Sequence, residues 1–271
     1  MKKWLAVLLA LPLCAAPQRI ISTAPSVTEI LFALGLGDRV AGVTRFCRYP
    51  PEALSKPKIG DYINPNLEAI AALKPDLVII QTNPVRLAER LSALHLRTLE
   101  INQDNIAAIY SSIDAIARAA DAETQGARLT AELRMKLEAI QARPRAPVRA
   151  MFVVGRAPNR LDGLIVAGKG SYISELITLA GGENVFGDAV ASYPQVSLEE
   201  VLARNPDVIV DFGEMGKAQQ SPADLWLKAP AAKSIRAVRN HRVYAVDSGI
   251  YTVPGPRVAQ AAQSLFEILH P

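Results

Sequence analysis

The sequence predicts an α/β protein of two similar lobes with parallel-type sheets, joined by one long bridging helix, with a cleft between the lobes. Three observations predict it. First, one unit is written twice: residues 66–79 read NLEAIAALKPDLVI and residues 197–210 read SLEEVLARNPDVIV. Second, strand and helix patterns alternate around each copy at the spacing of parallel βαβ units. Third, residues 105–142 carry helical periodicity and no strand pattern.

Each copy is a short helix, a stop and a strand. Ser197 is a natural N-cap, and Glu200 three residues on completes a capping box. Leu198, Val201 and Leu202 then share one helical face. Asn205-Pro206-Asp207 ends the helix, because the residue before proline is pushed out of the α region. Val208-Ile209-Val210 is a β-branched strand. In the first copy Asn66 is the cap, Lys74-Pro75-Asp76 the stop and Leu77-Val78-Ile79 the strand.

The remaining elements follow in order. Residues 19–23 form a strand, and 27–34 a helix closed by Gly35 and Gly37, which suit a helix C-terminus. Residues 40–43 form a strand and 45–57 a loop rich in proline and aromatics. After the first copy come a turn at 81–84, a helix at 85–94 and a strand at 96–101. Ile106, Ile109, Ile113 and Ile116 mark one helix of the strandless stretch. Leu129, Leu133, Leu137 and Ile140 mark a second, long enough at 1.5 Å per residue to reach about 30 Å, the width of a small domain. The second lobe opens with strands at 149–154 and 163–167 and a helix at 171–179. There Ser174-Glu175-Leu176 answers Thr28-Glu29-Ile30, and Gly181 answers Gly35. A proline-interrupted helical run at 221–237, a strand at 242–246 and a helix at 256–269 finish the chain. Both lobes are expected to carry the same order of parts. The expected boundaries are 1–16 for a secretory signal, 19–121 and 148–271 for the lobes, and 122–143 for the bridge.

The chain has 271 residues, half of them hydrophobic, enough for two modest packed domains. Its start, two lysines and then WLAVLLALPLCAA, is a signal-peptide pattern, too short to span a bilayer, with cleavage expected near Ala16. Leu11-Pro12-Leu13-Cys14 partly matches a lipoprotein box, which makes Cys14 a candidate lipid anchor, although Leu13 is large for that motif. The chain is therefore expected in the periplasm or another extracytoplasmic space. Loss of Lys2 and Lys3 lowers the formal charge from +4 to +2, too little to argue for nucleic acid or an anionic membrane. Without Cys14, Cys47 stands alone, so no internal disulfide is expected.

Candidate functional residues lie mostly in loops. Glu68 and Glu199 hold matching places in the two copies. An acid in a first helical turn favours the helix dipole by about 0.3–1 kcal/mol, which explains either one alone. As a matched exposed pair they suit docking on a two-fold partner that offers arginines. Phe46, Tyr49, Tyr62, Tyr193 and Tyr251 fall in loops beside strand ends, where parallel sheets bind ligands, and as a set they suggest a flat, partly apolar ligand. Tyr62 and Tyr193, just upstream of the two repeat helices, are expected to face each other across the cleft. Arg45, Arg48, Arg156 and Arg160 lie in loops on the same side and could meet anionic ligand groups, or simply face solvent. Residues 163–171, GLIVAGKGS, nearly spell a phosphate-binding loop, but Gly170 replaces the hydroxyl residue and the intervening residues are strand-like. His95, His241 and His270 are scattered with no partner at ligand spacing, and no nucleophile elbow appears. No catalytic residue, metal site or cofactor is expected.

Ala24-Pro25-Ser26 with Thr28-Glu29, Tyr49-Pro50-Pro51, Asn66-Leu67-Glu68 with Lys74-Pro75-Asp76, residues 181–186 (GGENVF), residues 194–197 (PQVS) and Pro256-Arg257 together resemble one family. This family is the periplasmic substrate-binding proteins of ABC importers of the cobalamin, haem and siderophore class, and the likeness is greatest to its cobalamin-binding branch. The resemblance runs from about Arg19 to Leu269. It implies a lobe–helix–lobe fold, no enzymatic activity, and delivery of a metal chelate to a permease dimer in the inner membrane. It implies that Glu68 and Glu199 bind permease arginines. It also implies that Phe46, Tyr62 and Tyr193 contact a corrin ring, with Gln81 at a further position where that branch, as at Tyr62 and Tyr193, places tryptophan. With Arg156 and Tyr251 from the loop sets, these form the expected ligand site. A corrinoid is the expected ligand. Haem or a ferric siderophore on the same fold, with loop arginines pairing anionic groups and Tyr62 ligating iron, is the first alternative. An exported enzyme on a duplicated scaffold is the second.

Overall fold

The computed structural model describes residues 16–82, 86–213, 221–246 and 248–271. Of the expected signal peptide, 1–16, residues 1–15 including Cys14 lie outside the described residues, as do Asn83 and Pro84 of the expected turn.

The first lobe is strand β1 (Ile20–Ser22), helix α1 (Pro25–Ala33), β2 (Val40–Val43), α2 (Leu67–Ala72), β3 (Leu77–Gln81), α3 (Leu87–Ser92) and β4 (Thr98–Ile101). Its strands run in the order β2-β1-β3-β4, every pairing parallel. Two helices follow, α4 (Ile106–Ala119) and α5 (Glu123–Gln141). The second lobe is β5 (Val148–Gly155), β6 (Leu164–Val166), α6 (Tyr172–Leu179), β7 (Gly182–Asn184), β8 (Gln195–Val196), α7 (Leu198–Arg204) and β9 (Val208–Asp211). It continues with α8 (Pro222–Lys228), α9 (Arg236–Arg239), β10 (Val243–Ala245), α10 (Ser248–Tyr251) and α11 (Val258–Leu269).

The repeat is present in atomic detail. Asn66 accepts from the Ala69 N–H at 2.9 Å, and Ser197 and Glu200 form the full capping box. Lys74 and Asn205 both turn left-handed before their prolines, at φ 45° and 47°. The next residue but one then bonds the strand alongside, Asp76 N–H to the Arg19 carbonyl at 2.9 Å and Asp207 N–H to that of Arg149 at 2.8 Å. β3 therefore enters beside β1 as β9 enters beside β5.

The expectation of identical parts needs one correction. β7 pairs parallel to β5 as β2 does to β1, but β6 runs antiparallel to β5 and pairs antiparallel with β8. The second sheet is mixed because the chain between β5 and α6 is long enough to fold back, whereas β1 passes almost directly into α1. The helix expected at 85–94 is confined to Leu87–Ser92 among the described residues, and the expected loop at 45–57 contains a 3-10 turn at Pro51–Ser55. The helical run at 221–237 is broken by a 3-10 turn at Pro230–Ala232, where proline removes an N–H donor.

The alternation of side chains along each strand divides the interior. Ile21, Val78 and Ile80 face an outer core of the first lobe, and Met151, Val153 and Ile209 one of the second. Ile20, Ile79, Ala150 and Phe152 face inward onto one continuous core shared by α1, α4, α5, α6 and α11. α5 contributes Leu133, Leu137 and Ile140 on one stripe and spans about 28 Å. A Cβ on Gly126 would stand 2.6 Å from that of Ala117, so glycine is what lets α5 close against α4. Beyond α5, Arg145 donates to the Ile140 and Gln141 carbonyls at 2.9 and 2.7 Å and to that of Leu179 at 2.9 Å, tying the ends of α5 and α6 together.

Candidate functional site

Both sheets point the C-terminal ends of their parallel strands at the gap between the lobes, the usual place for a ligand in this architecture. A cavity of about 520 Å³ lies there. The first lobe lines it with Gln81 at the end of β3 and with Gln103 and Asp104 just after β4. The second lobe lines it chiefly with Tyr172, Tyr193, Phe212 and Tyr251. One wall is thus made of amides and a carboxylate, the other of aromatic rings. A second groove of about 910 Å³ lies on the side of the bridging helix, between α1, α5 and α11. No parallel strand ends there, so the interlobe cavity is the candidate site.

The expected site residues distribute unevenly. Gln81, Tyr193 and Tyr251 line the cavity. Tyr193 is 47% exposed, whereas Tyr251 is 1% exposed, its ring 5.3 Å from that of Phe152 and its hydroxyl bonded to Ser264 at 2.8 Å. Tyr62 is partly buried beside the cleft and donates to the Thr82 carbonyl at 3.0 Å. Burial, and secondarily the Asp104 carboxylate, raise the pKa of Tyr62 and of Tyr193. The two tyrosines of the repeat thus flank one acid from opposite lobes. Phe46 is 47% exposed under the Arg45 guanidinium, and Arg45 pairs with Asp61 at 2.8 Å.

Arg156 is not at the surface of the cleft. It and Asp211 form an ion pair with side chains 1% and 0% exposed. Asp211 accepts from Arg156 Nε at 3.1 Å, Trp226 Nε1 at 2.8 Å and the Gly213 N–H at 2.7 Å. This buried hub fixes the end of β9. Glu68 and Glu199 are exposed on the first turns of α2 and α7. The Glu199 carboxyl is held below its ordinary range by its own N–H and the Ser197 hydroxyl.

Gln103, Asp104, Tyr172 and Phe212 escaped sequence reasoning as site residues. Their signal was positional: each lies within three residues of a strand end or a helix cap. Gln103 is 2% exposed, and neither end of its amide has a hydrogen-bond partner; the Tyr172 hydroxyl is likewise buried and unpartnered. Burial raises the Tyr172 pKa far above the usual phenol range, so it stays protonated. Among the described residues no group of three or more His, Cys, Asp or Glu is placed to hold a metal ion, and no helix is long and apolar enough to cross a membrane.

A family model described as periplasmic binding protein matches residues 20–249. The chain belongs to the periplasmic binding protein family. Among its relatives is the vitamin B12-binding protein of Vibrio cholerae serotype O1, 31% identical over 268 residues, which cover 95% of this chain and 90% of that protein. The crystal structure of the periplasmic vitamin B12-binding protein BtuF of Vibrio cholerae matches with a TM-score of 0.78 at 29% identity, over 94% of this chain and 97% of that one. The periplasmic haem-binding protein RhuT from Roseiflexus sp. RS-1 matches equally well, with a TM-score of 0.79 at 29% identity, over 93% and 98%. These relatives are binding proteins rather than enzymes, and this periplasmic binding protein shares their two-lobed α/β build.

Proposed function

We propose that this periplasmic binding protein captures a corrinoid, cobalamin or cobinamide, between its lobes and delivers it to the permease dimer of an ABC importer. The observation that carries this reading is the interlobe cavity, with aromatic rings on one wall and carboxamides on the other. A corrin presents a broad apolar face rimmed with amides. Tyrosine rings stack on such a face, and glutamines exchange donors and acceptors with such a rim. The vitamin B12-binding relative supports the same reading along nearly the whole chain. Export by the N-terminal segment, with or without an anchor at Cys14, places the protein where an importer takes up its load.

Glu68 and Glu199 are the proposed docking pair, each exposed at the start of the same duplicated helix, one per lobe. A two-fold permease with matching arginines would engage both at once.

Haem on the same fold is the second reading, carried by the equal similarity of RhuT. Three of the four loop arginines are already paired, Arg45 with Asp61, Arg156 with Asp211 and Arg160 with Asp162, and Arg48 is the exposed one left to meet a propionate. Calorimetric titration of the mature protein with cyanocobalamin, cobinamide and haemin tests the choice. Corrinoid binding without haem binding is expected, and haem binding alone reverses the assignment.

A further inference from the structure

Among the described residues that line the interlobe cavity, Asp104 alone carries a charge. No cation among the described residues pairs with it. Its carboxylate accepts from Asn102 Nδ2 at 2.7 Å, and its N–H donates to Asn102 Oδ1 at 2.8 Å, which fixes the turn after β4. Two guanidinium groups lie at or between the lobes, Arg156 buried and Arg257 partly so, and both face acids: Arg156 meets Asp211 and Arg257 meets Glu29. Among the described residues, a ligand entering the cleft therefore meets one negative charge, neutral amides and phenols that remain protonated. Gln103 adds an amide with both ends unsatisfied in the wall beside Asp104. A buried amide of that kind is normally satisfied by some partner.

We infer that Asp104 is a specificity-determining residue that selects ring ligands with a neutral amide or cationic rim and rejects those with peripheral carboxylates. The inference rests on the reading that the cleft holds a ring chelate, and it assigns to one residue the choice between classes of chelate. A primary amide of the ligand can donate to the Asp104 carboxylate and both donate to and accept from Gln103. A ligand carboxylate can only accept. It would face a like charge across the cleft, at a distance where the two repel.

The test is direct titration of the full mature protein with cyanocobalamin and with each of its three singly hydrolysed derivatives, in which one propionamide has become a carboxylate. The wild type should bind at least one derivative tenfold or more weaker than the parent, with the gap shrinking as salt rises. Asp104→Asn, a near-isosteric change at an exposed position, should narrow that gap to about twofold. The inference is overturned if the wild type binds the parent and all three derivatives alike, or if Asp104→Asn leaves the gap unchanged; the corrinoid reading survives either result. Failure of the wild type to bind any of the four overturns the corrinoid reading and the inference together.

Discussion

Arg257 grips Glu29 across the lobe interface, donating from Nε to Oε2 at 2.9 Å and from Nη2 to Oε1. Glu29 lies on α1 of the first lobe and Arg257 is the N-cap residue of α11 in the second. Glu175 occupies the matching place on α6 and does the mirror-image thing. It accepts, at 2.7 Å, the N–H of Ile106, the first residue of α4. Each lobe therefore sends one glutamate of its duplicated helix to the start of the other lobe's closing helix. These two crossed contacts join the lobes beside the shared core around α5.

Burial raises the Glu29 pKa more than Arg257 lowers it. Between the ordinary carboxylate value and this raised value the native state holds more protons than the unfolded chain. Stability from this group is thus fully present below the ordinary value and falls as pH rises through the raised one. Glu29→Gln mimics the protonated carboxyl that the fold favours, so it should cost little or no stability near neutral pH. The variant should also lose this pH slope. Thermal melts of both proteins from pH 4 to 8 check it; parallel curves would contradict the assignment.

Glu175→Ala removes an acceptor and a negative charge from the start of α4. The expected loss is about 1 kcal/mol, a fall in Tm of roughly 2–4 °C. Hydrogen exchange should quicken in the first turn of α4 and leave its last turn unchanged. Uniform acceleration along the helix would show that the contact is not local.

Asp211→Asn breaks the hub beneath the cleft. Arg156 would lose this carboxylate as an acceptor in a buried site, at a cost of about 1–3 kcal/mol. Trp226 donates to the same carboxylate and is the one tryptophan besides Trp4, so its emission should shift as the site loosens. A variant as stable as the wild type would mean that the pairing of Arg156 with Asp211 is incidental.

Tyr193 is half-exposed at the cavity, so its removal tests binding without a folding penalty. Tyr193→Ala should weaken cyanocobalamin about tenfold, the worth of one ring contact, with Tm unchanged. Tyr193→Trp, with a larger ring, should tighten it. Unchanged affinity in both variants would remove this tyrosine from the site.

Reversing both docking charges, Glu68→Arg with Glu199→Arg, should abolish uptake in cells while ligand affinity in solution stays within twofold. Either single reversal should have a smaller effect, because one of two matched contacts survives. Normal uptake by the double variant would dismiss this pair as the docking surface.

Local chemistry made much of this protein legible from its sequence. The unit written at 66–79 and 197–210 determined two lobes, because capping, proline stops and β-branched runs act within a few residues of themselves. The same locality determined the bridging helix and placed Glu68 and Glu199 as a matched exposed pair. The tertiary structure decided what depends on distant segments meeting. It turned Arg156 into a buried partner of Asp211, because hydrogen bonds from Trp226 and Gly213 hold that carboxylate beneath the cleft. It brought Gln103 and Asp104 opposite Tyr193, since strand ends converge only when both sheets have formed. It folded β6 back against β5, and it joined Glu29 to Arg257 across a separation of 228 residues. No periodicity or cap encodes such a pairing; it exists because the two lobes pack against one shared helix.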